Sequence, residues 1–297
     1  MTSRERQYAY EKENQIKADF DDVYNRAMPA AYYRRMRDVS YSIPEHAVPF
    51  FVSLLDRRKH LGRNRGPSRV LDIGCSYGVL AALLKYQLSL DSLYSHYGSY
   101  DHQLLSRDQA LDVDRRFFRN QLPRRNVQMI GLDKAAQAIE YATQAGLLDQ
   151  GISCDYEVVN DPTMMPSIAP VDLIISTGCV GYVGQKTFSN LLSSVGGPLP
   201  WVACFVLRMF DYTPISKTLE GFGYRTTRLD GVSVKQRRFA SDEEKNNTIR
   251  RVQALGQNPA GWEDTGFLYA DLFVSIPSAE VLDVSVPQIA GLAASAA

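Results

Sequence analysis

The sequence predicts an α/β protein built on a mostly parallel, doubly wound sheet of seven strands. From Arg69 onward, apolar strand-like runs alternate with helical segments, and this order favours a parallel sheet covered by helices. Several runs are apolar at nearly every position, as expected for strands that are buried on both faces. We therefore divide the chain into a helical cap at residues 1–66, a sheet-containing core at 67–280 and a tail at 281–297.

The N-terminal cap is predicted to consist of three helical segments. Apolar residues recur at helical spacing in Arg4–Arg26, in Ala31–Tyr41 and from Ile43 onward. Pro44 suits a first helical turn, whereas Pro49 is expected to move the start of the regular helix to a later residue.

The core is predicted to contain five parallel strands followed by an antiparallel pair. The five parallel candidates are Val70–Ile73, Val127–Leu132, Cys154–Val159, Val171–Ser176 and Trp201–Met209. The antiparallel pair is Tyr224–Leu229 with Gly266–Ile276. Helices are expected at Val79–Leu88, Lys134–Ala145, Lys186–Val195, Thr213–Gly221 and Asp242–Ala254.

The composition argues against several classes of protein. Lys and Arg together number 33, as do Asp and Glu, so the net charge is zero. This balance argues against nucleic acid or an anionic membrane as the main partner. The four cysteines show no CxxC spacing, which indicates a reduced, cytoplasmic protein without a metal site. The charged N-terminal region and the lack of a long apolar run predict neither a signal peptide nor a membrane span.

The most informative segment runs from Val70 to Gly78 and reads VLDIGCSYG. It predicts a buried strand, a glycine-marked turn and a helix start, an arrangement that brings backbone N–H groups close to a ligand. Asp72 in this strand would repel a pyrophosphate and attract a ligand with an ammonium or sulfonium group. The segment therefore predicts a site for a cationic ligand.

This segment resembles the first motif of the class I S-adenosylmethionine (SAM)-dependent methyltransferases, whose usual form is hydrophobic-hydrophobic-Asp-hydrophobic-Gly-x-Gly-x-Gly. Three later segments resemble the family's second, third and fourth strands in the same order: Met129–Asp133, Val158–Asp161 and Val171–Ser176. The resemblance covers about residues 69–223. It implies a Rossmann-like fold and SAM as the cofactor.

The resemblance also implies a set of cofactor-binding residues. Asp133 would accept the ribose hydroxyls, Asp161 with Asn160 would read the adenine amine, and Asp72 would hold the amino-acid end of SAM. The whole set is Asp72, Gly74, Cys75, Ser76, Tyr77, Gly78, Asp133, Asn160, Asp161 and Ser176. Asp133 has a purely structural alternative, because it could cap the helix that follows it. Ser76 stands where the family has its middle glycine, and Ser76 or Tyr77 could contact the methionine portion instead.

In this family the segment after the fourth strand faces the reacting sulfonium. We therefore take Ser176, Thr177 and Tyr182 as the candidate catalytic residues, with the Tyr182 ring as an aromatic face for the sulfonium. Core packing of Tyr182 is the alternative. No Ser-His-Asp arrangement can be read from the sequence, but methyl transfer from a sulfonium needs little beyond in-line placement and exclusion of water.

One long insertion departs from the simplest form of the fold. Asp133 follows Asp72 by 133 − 72 = 61 residues, whereas the corresponding spacing in a simple dinucleotide fold is about 20 residues. Residues 86–126 therefore form an insertion rich in Tyr, Asp, Arg and Gln. A lid over the ligand and a plain surface excursion both remain open.

The leading functional hypothesis is a SAM-dependent methyltransferase that acts on a small molecule of specialised metabolism. A second hypothesis is a SAM-consuming cyclase or aminocarboxypropyl transferase that releases methylthioadenosine, as azetidine-2-carboxylate synthases do. A third is a SAM-binding protein without catalysis. The expected partner is a small molecule, or SAM alone, with no nucleic acid and no membrane, and a homodimer is possible.

Overall fold

The computed structural model describes residues 20–61, 66–99, 104–159 and 168–283. Its centre is one seven-stranded sheet with the strand order β3-β2-β1-β4-β5-β7-β6. The strands are β1 Ser68–Ile73, β2 Val127–Asp133, β3 Gln150–Ser153, β4 Leu173–Thr177, β5 Trp201–Leu207, β6 Tyr224–Arg238 and β7 Phe267–Pro277. The helices are α1 Asp21–Tyr24, α2 Ala30–Asp38, α3 Ile43–His60, α4 Val79–Lys85, α5 Leu90–Tyr97, α6 Arg107–Arg119, α7 Ala136–Gln144, α8 Gln185–Ser194, α9 Thr213–Gly221 and α10 Asp242–Ala254.

The sheet confirms the predicted fold class. Strands β1 to β5 run parallel, and β7 lies antiparallel between β5 and β6. All seven residues of β5 are buried, because helices cover both faces of the centre of a doubly wound sheet. The reversal of connection between β1 and β4 leaves a crevice at their carboxyl ends, where ligands bind in open α/β sheets.

The third strand lies earlier in the chain than predicted. β3 pairs with β2 from Ile130↔Gln150 to Asp133↔Ser153, so the predicted strand Cys154–Val159 is wrong. Residues 154–159 form a loop after the strand. The Asn190 side-chain amide holds this loop by donating to the carbonyls of Tyr156 and Val159, at 2.9 and 3.1 Å. Tyr156 is buried in this loop whereas Val158 is 61% exposed, so the apolar residues of the segment do not mark a strand.

Two predictions for the cap also change. Helix α3 begins at Ile43 and continues through Pro49, so the later start that Pro49 suggested is wrong. Buried residues on both sides of the proline, among them Ala47 before it and Phe51 after it, hold the helix against the core despite the missing N–H donor. Of the predicted helix Arg4–Arg26, only the part from residue 20 onward lies within the described residues, and α1 occupies four of them.

The insertion at residues 86–126 contributes α5 and α6. These helices are fastened by Asp114, whose side chain is fully buried. Its Oδ2 accepts from the Tyr97 and Tyr141 hydroxyls at 2.9 and 2.8 Å, and its Oδ1 lies 2.7 Å from His96 Nε2. The Tyr97 ring also stacks on Tyr33 of α2, with ring centroids 4.1 Å apart. The described part of the insertion therefore joins the cap to α7 of the core.

Within the described parts of the chain, no helix is both long and apolar enough to cross a membrane.

Candidate functional site

A cleft of about 1190 Å³ lies at the carboxyl ends of the parallel strands. Its floor comes from the ends of β1, β2 and β4 and from the loop after β3. The cap forms one wall, and residues after β4 and β5, with part of β6, form the other. The described residues of the insertion 86–126 are not among its walls, so a closing movement of that segment stays a prediction.

Asp72 lies at the floor of this cleft and is its most unusual group. Asp72 is only 2% exposed. No hydrogen-bond donor among the described residues reaches its carboxylate. Burial raises the pKa of Asp72 well above the ordinary carboxyl value, and the neighbouring Asp133 carboxylate raises it further. An acid that is buried without a cation or a donor is costly. The site is therefore electrostatically incomplete and suits a cation.

Asp133, at the end of β2, shapes the turn that follows β1. Its Oδ2 accepts a 2.8 Å hydrogen bond from the Ser76 backbone N–H, and its Oδ1 accepts one of 3.0 Å from the Ala135 N–H. Burial raises the pKa of Asp133, and these two backbone donors partly offset the rise. The N-cap residue of α7 is Ala135, and no side chain caps this helix, so the structural alternative of Asp133 as a helix cap is wrong. Each carboxylate oxygen still has a lone pair that can accept from a ligand.

The turn from Gly74 to Gly78 has three residues in the left-handed region. Gly74 has a φ of 74°, Ser76 of 48° and Gly78 of 76°. Any side chain at Gly74 would collide with Cys179, because an added Cβ would lie 2.7 Å from the Cys179 Cβ. Ser76 takes the position of the family's middle glycine in a conformation that few residues other than glycine adopt. Its Oγ is buried and has no hydrogen-bond partner.

The structure separates the predicted cofactor residues into two groups. Asp72, Gly74, Cys75, Ser76 and Asp133 line the cleft. Tyr77, Gly78 and Ser176 do not line it, and Asn160 and Asp161 lie outside the described residues.

Tyr77 faces the cap rather than the cleft. Its hydroxyl accepts from the Arg26 N–H at 2.9 Å and donates to the Arg26 carbonyl at 2.8 Å, and burial raises its pKa to about 12. The predicted contact of Tyr77 with the methionine portion is not supported, because this side chain fastens the cap to the turn.

The loop after β3 brings an acid to the cleft that the sequence prediction missed. Asp155 follows the corrected β3 by two residues and lines the cleft. Its Oδ1 accepts from the Glu157 N–H at 3.0 Å. The resemblance predicts an acid after the third strand and assigned it to Asp161. With β3 ending at Ser153, Asp155 is the acid that follows the strand.

Glu157 anchors the same loop to the start of α8. Its Oε2 accepts from the N–H groups of Gly184 and Thr187 at 2.9 and 3.1 Å, and from the Thr187 hydroxyl at 2.7 Å. A carboxylate at this position satisfies free donors of a helix N-terminus and interacts favourably with its dipole. Glu157 therefore fixes the shape of the loop that carries Asp155.

The cap covers the cleft with aromatic rings. Tyr24 and Tyr32 line it and meet edge to face, with ring centroids 5.4 Å apart. Tyr41 also lines it, and its pKa is raised by burial, by nearby tyrosines and by Asp72, while the adjacent Thr177 hydroxyl lowers it. Tyr41 thus lies near the unpartnered Asp72.

Two of the three predicted catalytic residues line the cleft, one at the end of β4 and one in the segment that follows it. Thr177 and Tyr182 line the cleft, and Tyr182 is 42% exposed, so Tyr182 is not a core residue. Ser176 is fully buried behind the wall, where its Oγ lies 2.8 Å from the Cys179 Sγ. No histidine lines the cleft among the described residues, and none of their His, Cys, Asp and Glu side chains form a group that could hold a metal ion.

The strand order and the antiparallel last pair now decide the fold. It is the fold of the class I SAM-dependent methyltransferases. The resemblance predicted from the sequence is thereby confirmed at the level of the fold. Asp72 and Asp133 line the cleft near the ends of β1 and β2, and their binding roles stay predictions.

No protein-family model and no curated protein matches the chain. Among solved structures, the chain is similar to the plantazolicin methyltransferase BamL in complex with a triazolic desmethylPZN analog and SAH. The identity is 12%, the match covers 91% of this chain and 98% of that one, and the TM-score is 0.44. A TehB-like SAM-dependent methyltransferase from Corynebacterium glutamicum is 14% identical over 82% of this chain and 95% of that one, with a TM-score of 0.39. The [4+2]-cyclase SpnF is 14% identical over 76% and 80%, with a TM-score of 0.35.

Proposed function

We propose that the protein is a SAM-dependent enzyme that transfers the methyl group of SAM to a small-molecule acceptor. The observation that carries this proposal is the Asp72 carboxylate, which is buried in the cleft beside a second acid and without a cation. A ligand with an ammonium and a sulfonium group compensates both acids, whereas a phosphate would be repelled by them.

The residues of the cleft fit the parts of SAM in order along the sheet. Asp72 would hold the amino group, and the buried Ser76 Oγ would gain a partner from the methionine portion. Asp133 would accept from the ribose hydroxyls with the lone pairs that its backbone donors leave free. Asp155 would accept from the adenine amine in place of the predicted Asp161. When bound, SAM would supply a methyl carbon on a positively charged sulfur, with a neutral thioether as the leaving group.

The contribution of the chain to transfer is placement and exclusion of water. Tyr182 and Thr177 lie on the wall beside the methionine end, and the Tyr182 ring could face the sulfonium, an interaction of roughly 0.5–2 kcal/mol. The aromatic cap would shield the reacting atoms from water. In-line placement in such a site supplies most of what an attack on a sulfonium requires.

The size of the cleft favours a second substrate. A pocket for one drug-sized ligand measures roughly 300–1,000 Å³, and this cleft measures about 1190 Å³. SAM would therefore leave space for an acceptor on the side of β5 and β6. That space favours transfer between two molecules over a reaction of SAM alone.

The test is mass spectrometry of SAM incubated with the protein and with panels of phenols, carboxylic acids and primary amines. We expect S-adenosylhomocysteine (SAH) with at least one panel, and none with an Asp72→Asn variant that has a native circular dichroism spectrum. Failure of the wild type to bind SAM at all would overturn the proposal. Binding without any product would instead favour the non-catalytic SAM-binding protein.

Ring closure of SAM is a second candidate, and the state of Asp72 favours it. A carboxylate with a raised pKa beside the amino group of SAM is suited to accept the proton that the ammonium must lose. The amine nitrogen would then form a bond to its own γ-carbon as the γ-carbon–sulfur bond breaks. The sulfur keeps the electron pair of that bond and leaves as methylthioadenosine. SAM incubated with the protein alone would give methylthioadenosine under this candidate and stay intact under the first.

A further inference from the structure

Gln236 is a buried polar group in the wall of the cleft. It lies on β6, the edge strand opposite to β3, and lines the cleft. The residue is only 4% exposed, yet its Oε1 is buried without a hydrogen-bond partner. A buried carboxamide oxygen without a donor costs about 1–3 kcal/mol. No packing requirement of β6 explains a glutamine here.

A β-bulge in β6 sets the direction of the Gln236 side chain. Lys235 pairs with Tyr269 and Arg237 pairs with Leu268, so Gln236 is the extra residue of a β-bulge. Bulges redirect a side chain and are frequent next to active sites. The normal alternation is broken as a result, since both Gln236 and Arg237 are buried.

The same residue is held by the cap. The Gln236 carbonyl accepts from the Ser42 N–H at 2.8 Å, and the Ser42 hydroxyl donates to the Lys235 carbonyl at 3.3 Å. These bonds place the bulge beside Tyr41 and Pro44, which also line the cleft. The bulge therefore lies where the cap meets the sheet.

The segment that follows β4, on the same wall, makes room for the Gln236 side chain. Gly178 directly follows β4. A methyl group at Gly178 would overlap the Gln236 carboxamide. Gly178 has a φ of 75°, so both its conformation and the space it leaves require glycine. Gln236 thus reaches the wall next to the predicted reacting end.

Aromatic and charged residues line the cleft together with Gln236, among them Phe20, Arg237 and Arg251. The Arg237 guanidinium lies 5.0 Å from the centroid of the Phe20 ring and is paired with Glu244 at 2.6 Å, so its charge is compensated. Phe210, whose ring packs against Gly181, lines the cleft nearby. The cleft thus offers a ligand the rings of Phe20 and Phe210 and, at Gln236, a carboxamide that can both donate and accept a hydrogen bond.

We infer that Gln236 is a specificity-determining residue for the second substrate, which is an aromatic molecule carrying a hydroxyl group. This inference rests on the proposed function, because the second substrate is the methyl acceptor. The hydroxyl donates to Oε1 and accepts from Nε2, and the rings of Phe20 and Phe210 contact the apolar part. The cofactor residues Asp72, Asp133 and Asp155 lie on the other half of the sheet, so the cofactor does not need Gln236.

The test uses phenol as the probe and anisole as a matched probe that lacks the donor. The side-chain amide signals of Gln236 are followed by nuclear magnetic resonance and are assigned by their loss in Gln236→Met. In the SAH complex we expect phenol to shift these signals and anisole to leave them nearly unchanged. Gln236→Met should weaken phenol binding about tenfold and leave SAH affinity unchanged. Lys235→Met, an exposed neighbour on the same strand, should change neither.

The outcomes separate this inference from the proposed function. Failure of SAH to bind the wild type would overturn the proposed function itself. If SAH alone shifts the Gln236 signals, or if phenol binds the SAH complex equally well in Gln236→Met, the inference is wrong although the proposed function stands. Absence of phenol binding to a protein that binds SAH would also overturn it.

Discussion

The Ser76 backbone N–H donates a 2.8 Å hydrogen bond to the Asp133 carboxylate, and this bond joins the turn after β1 to the end of β2. It holds Ser76 at a φ of 48°, where a residue other than glycine costs roughly 1–2 kcal/mol. The bond explains how the turn forms without the family's middle glycine. The serine side chain at this position places a hydroxyl group in the floor of the cleft.

Two substitutions at Ser76 separate strain from ligand contact. Ser76→Ala keeps the strained backbone and removes the buried Oγ, whereas Ser76→Gly removes both. We expect both variants to bind SAH several-fold more weakly, since one hydrogen bond contributes roughly 0.5–1.5 kcal/mol. The glycine variant should be more stable than the alanine variant by about 1 kcal/mol, because it relieves the backbone strain. Calorimetric titration gives the affinities, and urea unfolding gives the stabilities. Unchanged affinity in both variants would show that Oγ does not touch the ligand.

Asp72→Asn should stabilise the ligand-free protein while it weakens SAM binding. The folded-state pKa of Asp72 is raised, so ionisation of this acid opposes folding. Its cost is absent below the ordinary carboxyl pKa and grows as the pH rises through the raised pKa. At neutral pH we expect the variant to unfold with a free energy about 1–3 kcal/mol higher than the wild type, and the difference should shrink in mild acid.

The measurement for Asp72 is a series of urea unfolding curves across pH, paired with SAM titrations. Asp211→Asn is the matched control, because Asp211 also lines the cleft but is exposed. That control should show neither the gain in stability nor its pH dependence. A wild type that is more stable than Asp72→Asn at neutral pH would contradict an unpartnered acid.

Much of the fold could be read from the sequence because its signals are local. Helices α9 and α10 begin and end at the predicted residues, and β1 ends at Ile73 as predicted. The acids Asp72 and Asp133 were found because each follows a run of buried strand residues. Their closeness follows from β1 and β2 pairing in parallel, with Asp72 opposite Gly131.

The remaining features depend on contacts between distant parts of the chain. Whether Cys154–Val159 is a strand is decided by pairing with β2 and by Asn190 of α8, neither of which is visible in the segment itself. The motifs that contain Ser176 and Tyr77 predict that both residues line the cleft. The pleat of β4 directs Ser176 away from the cleft, and the turn after β1 directs Tyr77 towards the cap. Gln236 carries no motif at all, because its direction comes from a bulge in β6.

Glu157→Ala should loosen the loop after β3. The substitution leaves three donors at the start of α8 without their acceptor, and loss of such a cap costs about 0.5–2 kcal/mol. We expect that loss of stability together with weaker SAH binding, because the loop carries Asp155. Glu157→Gln retains an acceptor and should recover part of both. Exposed Glu220 on α9 provides the control Glu220→Ala, and equal effects at the two sites would refute a specific anchoring role.

Asp114→Asn should uncouple the insertion from the core. An amide has one acceptor oxygen, so it cannot serve Tyr97, Tyr141 and His96 together. We expect a loss of about 1–3 kcal/mol in the free energy of unfolding. Because the Tyr97 ring stacks on Tyr33, whose neighbour Tyr32 lines the cleft, SAH affinity should also fall several-fold.

A double-mutant cycle of Asp114→Asn with Tyr97→Phe isolates the hydrogen bond between these two residues. We expect a coupling energy in the range of roughly 0.5–3 kcal/mol that is found for residues in one network. The control is Asp112→Asn on the same helix, because Asp112 is exposed and its ion pair among the described residues is with half-buried Arg115. If Asp114→Asn lowers stability but leaves SAH affinity at the wild-type value, the insertion does not support the cap. The segment 86–126 would then be a surface excursion, the alternative that the sequence left open.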